Sequence, residues 1–130
     1  MTAKDQAATQ IGMPMAEFIR AFDEEGPFEL IDGERQLIMP NVAIHVVIIK
    51  KLLALLLIYE QTSGKIEVFP EQTFALTDSP DWVRGSRVPD LAVYARDRWN
   101  DYLAETPAWE NKPILLVPDL CVDRFPERRT

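Results

Sequence analysis

At 130 residues, 47% apolar and 27% charged, the chain suits one domain with a real core, and disorder as a whole is excluded. Fourteen basic against 21 acidic residues leave a net charge of −7. That excludes a basic nucleic-acid coat, though not a nuclease that meets DNA through a local patch and holds metal through carboxylates. The single cysteine, Cys121, cannot form an internal disulfide and points to a reducing, cytoplasmic setting.

Residues 1–13 have no apolar core behind a charged start, so they read as a flexible lead-in rather than a secretory signal. Pro14 suits a first helical turn, and Met15, Phe18, Ile19 and Phe22 form one apolar stripe at i, i+3, i+4 and i+7. Asp23-Glu24-Glu25-Gly26-Pro27 ends that helix. Phe28-Glu29-Leu30-Ile31, Asp32-Gly33 and the run 34–39 then spell a β-hairpin. After the Pro40-Asn41 break, residues 42–59 are almost continuously apolar. Lys50 and Lys51 stand at the midpoint, where two ammonium groups would be costly in a bilayer. The segment is therefore expected to be a mostly buried helix of a soluble core, with its lysine face in water and no membrane span.

Gly64 closes that helix. Strands are expected at 65–69, 72–76 and 88–94, with a polar surface loop over 77–87 and a turn or short helix over 96–104. Residues 106–113 read as a loop. The runs 114–117 and 120–122 are β-type, split by Pro118-Asp119. The pattern is α+β, without repeats or a second domain.

Chemistry centres on three Pro-Asp dipeptides ending in Asp81, Asp90 and Asp119. Asp81 falls in the expected loop, whereas the other two precede strand-like residues. A carboxylate fixed at a strand start can hold a divalent ion, which activates water and neutralises phosphate charge. On composition alone, a turn-forming Asp after Pro outweighs that role. Glu110-Asn111-Lys112 matches an acid-x-Lys pattern but lies in the expected loop, so it is set aside. His45 opens an apolar helix and reads as a core or cap histidine. Phe18, Phe22, Phe28 and Phe69 read as core, and Arg128-Arg129 as water-facing charge.

Taken in order, Met15-Ala16-Glu17-Phe18, Phe28-Glu29-Leu30-Ile31-Asp32-Gly33-Glu34, and Met39-Pro40 followed by His45 resemble a bacterial restriction-endonuclease-like family of the PD-(D/E)XK superfamily. Val88-Pro89-Asp90-Leu91-Ala92-Val93 looks like that family's first metal-ligand strand, and Val117-Pro118-Asp119-Leu120-Cys121-Val122 like the start of its second. The resemblance implies a restriction-endonuclease-like mixed sheet with flanking helices. It makes Asp90 one metal ligand and Asp123 the other, at a position where the family carries glutamate. Glu29 would be an accessory acid, Mg2+ or Mn2+ the cofactor, and DNA the substrate of an endonuclease.

The resemblance stops at 123. The family continues with a Ser-Pro turn and a lysine-bearing helix, whereas residues 124–130 are off-pattern. Shifting the reading frame by one base near codon 123 can restore Ser-Pro in register. The domain, 14–123, is thus expected to lack its C-terminal part through a frameshift. The alternative function is an inactive remnant, or a non-catalytic subunit whose exposed core is covered by a second copy or a partner chain.

Overall fold

The computed structural model describes residues 10–38 and 42–123. Residues 1–9 of the expected 1–13 lead-in, the Pro40-Asn41 break and the off-pattern tail, with Arg128-Arg129, lie outside them. A short strand β1 (Met13–Pro14) leads into helix α1 (Met15–Glu25), then β2 (Phe28–Ile31) and β3 (Glu34–Leu37). Helix α2 (Ala43–Ser63) follows, then β4 (Ile66–Pro70), β5 (Phe74–Ser79), β6 (Trp82–Arg87) and β7 (Leu91–Ala95). Helix α3 (Arg96–Glu105), a 3-10 turn (Trp109–Asn111) and β8 (Leu120–Val122) complete the α+β fold.

The hairpin forms where the sequence asks for it. Asp32 and Gly33 both take positive φ, 51° and 84°, as a two-residue turn matched to strand twist requires. Leu30 opposite Arg35 and Phe28 opposite Leu37 fix the register.

The 77–87 segment is not a surface loop. It supplies the end of β5 and all of β6, and β6 is the hub of the first sheet. One edge of β6 pairs with β5, and the other is shared by β1 and β2. The sequence signal failed because β6 buries small and polar residues instead of an apolar alternation. Val83, Gly85 and Ser86 are buried, while Arg84 is exposed. A Cβ on Gly85 would meet the Leu30 carbonyl at 3.1 Å, so glycine allows β2 its close approach.

Over this sheet, Phe18 and Ala21 of α1 pack on Phe28, Leu30, Ala75 and Val83. Phe18 meets Phe28 edge-on, with ring centroids 5.5 Å apart, a favoured aromatic geometry. The second sheet runs β4-β7-β8, fully antiparallel, with β8 at its edge. Ala92 and Tyr94 of β7 pack there against Trp99 of α3, with Phe69 and Tyr102 beside them. The phenol of Tyr94 donates to the Leu116 carbonyl at 2.8 Å, and burial pushes its pKa well above the ordinary tyrosine value. The 114–117 run forms no strand of its own. It contributes a single parallel bridge, Ile114 to Phe74, linking the two halves.

Asp119 has a structural task. Its carboxylate accepts the Ala95 N–H at 2.7 Å, where β7 gives way to α3, and pairs with Arg98 at 3.2 Å. That backbone hydrogen bond, seconded by Arg98, holds its pKa below the ordinary aspartate value.

Helix α2 departs most from expectation. None of its 21 residues is fully buried. His45, Ile49, Leu52, Leu53, Leu56 and Leu57 lie on its half-buried side, while Ile44, Leu55 and Ile58 are 66%, 65% and 59% exposed. The helix is also longer than the strand it packs beside. Twenty-one residues of helix run about 32 Å, and five residues of strand β4 span about 17 Å. One side of the helix is covered and the other stays in water. Lys50 and Lys51 are exposed, as expected. Among the described residues no helix is long and apolar enough to cross a membrane.

Leu30 is fully buried and Leu37, on the partner strand, is 69% exposed. Leu30→Ala is therefore expected to cost about 2–5 kcal/mol in urea unfolding, and Leu37→Ala less than about 0.5 kcal/mol. Equal costs would contradict this placement of the core. A depressed carboxyl pKa adds stability above the unfolded value, and that stability is lost as pH falls through the folded one. Thermal unfolding of wild type and Asp119→Asn should accordingly differ at pH 6 and converge below the ordinary aspartate value of 3.8.

Candidate functional site

Among the described residues three polar side chains are buried: Glu29, Ser86 and Asp90, at 1%, 0% and 3% exposure. They share one neighbourhood, the seam where β2, β6 and the approach to β7 meet. Burying such groups is costly unless hydrogen bonds replace water, and the seam supplies them. Ser86 Oγ accepts the Leu30 N–H at 3.0 Å. Glu29 Oε2 accepts the Val88 N–H at 2.9 Å. The Arg87 guanidinium donates to the carbonyls of Leu30 and Ser86, both at 2.8 Å. The stretch leading to Asp90 is thus laced to β2.

Asp90 enters β7 with its backbone held as well, since its carbonyl accepts the Glu71 N–H at 2.9 Å. Its carboxylate Oδ2 lies 2.7 Å from His45 Nε2. His45 sits in the first turn of α2, with a side chain 16% exposed. It is therefore neither an apolar core histidine nor a helix cap: α2 has no side-chain cap hydrogen bond at its N-terminus. The pairing spans 45 residues, and no local spacing announces it.

The ladder between β7 and β8 pairs Leu91 with Val122, Ala92 with Cys121 and Val93 with Leu120. One further step of this register, beyond the paired residues, would set position 123 opposite position 90. Directly opposed residues of an antiparallel pair project to the same face. Asp123 is exposed, and its charge, after burial, helps push the neighbouring Cys121 thiol up in pKa. Among the described residues no three His, Cys, Asp or Glu side chains form a group that could hold a metal ion. Two carboxylates are nonetheless compatible with Mg2+, which keeps several waters and uses one or two protein carboxylates.

Other candidates lie elsewhere. Asp81 is exposed in the β5–β6 turn. Glu110 and Lys112 are exposed beside the 3-10 turn and line a groove of about 420 Å³ with Phe18, Phe22 and Gln72; Asp90 and Asp123 do not line it. Phe18 and Phe28 belong to the first core, with Phe22 packed against it, and Phe69 packs against the second.

Truncating Glu29 to Ala leaves the buried Val88 N–H without this acceptor. The expected loss is about 1–3 kcal/mol in urea unfolding. Glu29→Gln retains an amide oxygen and should recover most of it; equal losses in both variants would show that the carboxylate charge matters instead.

Residues 15–123 match the model of the Uma2 family, described as "Putative restriction endonuclease". The fold is similar to a crystal structure of an Anabaena variabilis protein described as a putative nuclease belonging to DUF820, with a TM-score of 0.64 and 20% identity. That alignment covers 91% of this chain and 61% of the other, so this chain spans about three-fifths of the Anabaena protein's length. No curated protein matches the chain. With the family model covering most of the sequence, this chain belongs to the Uma2 family of restriction-endonuclease-type proteins.

Proposed function

We propose that the site serves divalent-metal-dependent hydrolysis of DNA phosphodiesters, with Asp90 and Asp123 as the carboxylates that hold the ion. The observation that carries this reading is the ladder register, in which position 123 follows opposite the buried Asp90. Bound Mg2+ or Mn2+ would supply a water of lowered pKa and offset the charge that develops on phosphate.

The protein's own contribution is placement. Asp90 is held on backbone and side chain before the substrate arrives, so little reorganisation is left for the reaction. Asp123 is exposed and available from the solvent side. Its arm is one methylene shorter than the glutamate that the family resemblance puts there. Glu29 acts from behind as an accessory acid, through its hold on the chain before Asp90. The net charge of −7 leaves DNA to be met locally and makes cleavage sensitive to salt.

A second reading, a non-catalytic subunit that pairs with another chain, is favoured by the exposed apolar side of α2. A plasmid-nicking assay in Mg2+ and in Mn2+ separates the two. Nicking by the wild type should fall by at least about a hundredfold in Asp90→Ala and in Asp123→Ala, the scale of losing a main electrostatic stabiliser. Undiminished nicking in either variant removes that residue from the site. A wild type inert in both ions favours the subunit.

A further inference from the structure

Asp90 has a fixed backbone, through the Glu71 N–H on its carbonyl and the Glu29 carboxylate on the Val88 N–H two residues earlier. A fixed backbone does not fix a carboxylate, which still turns about two side-chain bonds. His45 Nε2, 2.7 Å from Oδ2, acts at that level. A carboxylate that holds a metal ion must be ionised and only accepts, so in the metal-binding form Nε2 would be the donor.

The histidine is also well carried. Helix α2 is tied to the second sheet at its far end, where Glu60 Oε1 accepts the Val68 N–H of β4 at 2.9 Å. β4 pairs directly with β7, the strand that Asp90 enters. Donor and acceptor therefore belong to one scaffold. With the imidazole 16% and the aspartate 3% exposed, water competes weakly for the bond.

Resting on the metal-site reading above, we infer that His45 is a positioning residue: it donates to Asp90 Oδ2 and so sets the carboxylate's orientation toward the divalent ion. Losing the imidazole also takes a donor from a buried carboxylate and so costs stability, which is why metal affinity is read on protein shown to be folded. Partners that orient a metal ligand in this way typically account for about 10- to 100-fold in affinity.

The test is Mn2+ binding to the full chain, with free Mn2+ counted by electron paramagnetic resonance. Asp90→Asn should abolish measurable binding, and His45→Ala should weaken it about 10- to 100-fold. His45→Gln, whose amide can donate to the same oxygen, should return affinity to within about threefold of wild type. No nitrogen hyperfine coupling should appear on Mn2+ bound to the wild type. If His45→Ala binds like wild type, the positioning role falls and the metal reading stands. If Gln fails to rescue and nitrogen coupling appears, the imidazole is a direct ligand and the inference is overturned. A wild type that binds no Mn2+, while its unfolding transition is cooperative, overturns both. Should His45→Ala fail to fold, rescue by Gln and the wild-type coupling decide between the same outcomes.

Discussion

Glu29, Ser86 and Asp90 are out of water at the seam between two small sheets, and a buried polar group without a partner costs more than a hydrogen bond returns. The geometry of the seam follows from that asymmetry. Ser86 fixes β2 against β6, Glu29 fixes the chain two residues before Asp90, and His45 meets Asp90 itself. Each bond joins segments far apart in sequence, so a shift in any one strand would strand a polar atom in another. The place where the family's chemistry is expected is thus also the place where the fold tolerates least rearrangement.

Around the seam the two cores do separate jobs. The phenylalanine cluster under α1 clamps the first sheet, while Tyr94, Trp99 and Phe69 clamp the second. Asp90 lies at the entrance to β7, the centre of the second sheet, and the link from β6 delivers it there. Neither core reaches over the outer side of α2 among the described residues.

Much of the architecture was legible in the sequence where one local rule governs. The helix α1, the Asp-Gly hairpin and the apolar run of β7 each satisfy their rule within a few residues and are present, although Ile19 of the expected stripe is 42% exposed and Ala21 is buried instead. Strand β6 was missed because its interior is Val83, Gly85 and Ser86, residues chosen for close approach and hydrogen bonding rather than for alternation. The burial of α2 was misjudged because composition records how apolar a helix is, not how much surface exists to cover it. His45 was discounted for a similar reason: its partner is supplied by β7, and long-range pairing leaves no trace in local spacing. Asp90 and Asp123 are singled out by family resemblance alone, whereas the ladder whose next step would set them opposite each other appears only in the fold.

Strand β8 has a neighbour on one side, β7, among the described residues. Its other side is a row of backbone donors and acceptors, a template for any extended segment. A strand added there would run about 4.8 Å away, and its side chains would stand beside Asp123. The candidate acid Asp123 directly follows this open edge, Leu120–Val122. Lengthening the sheet and enclosing the site would therefore be a single event.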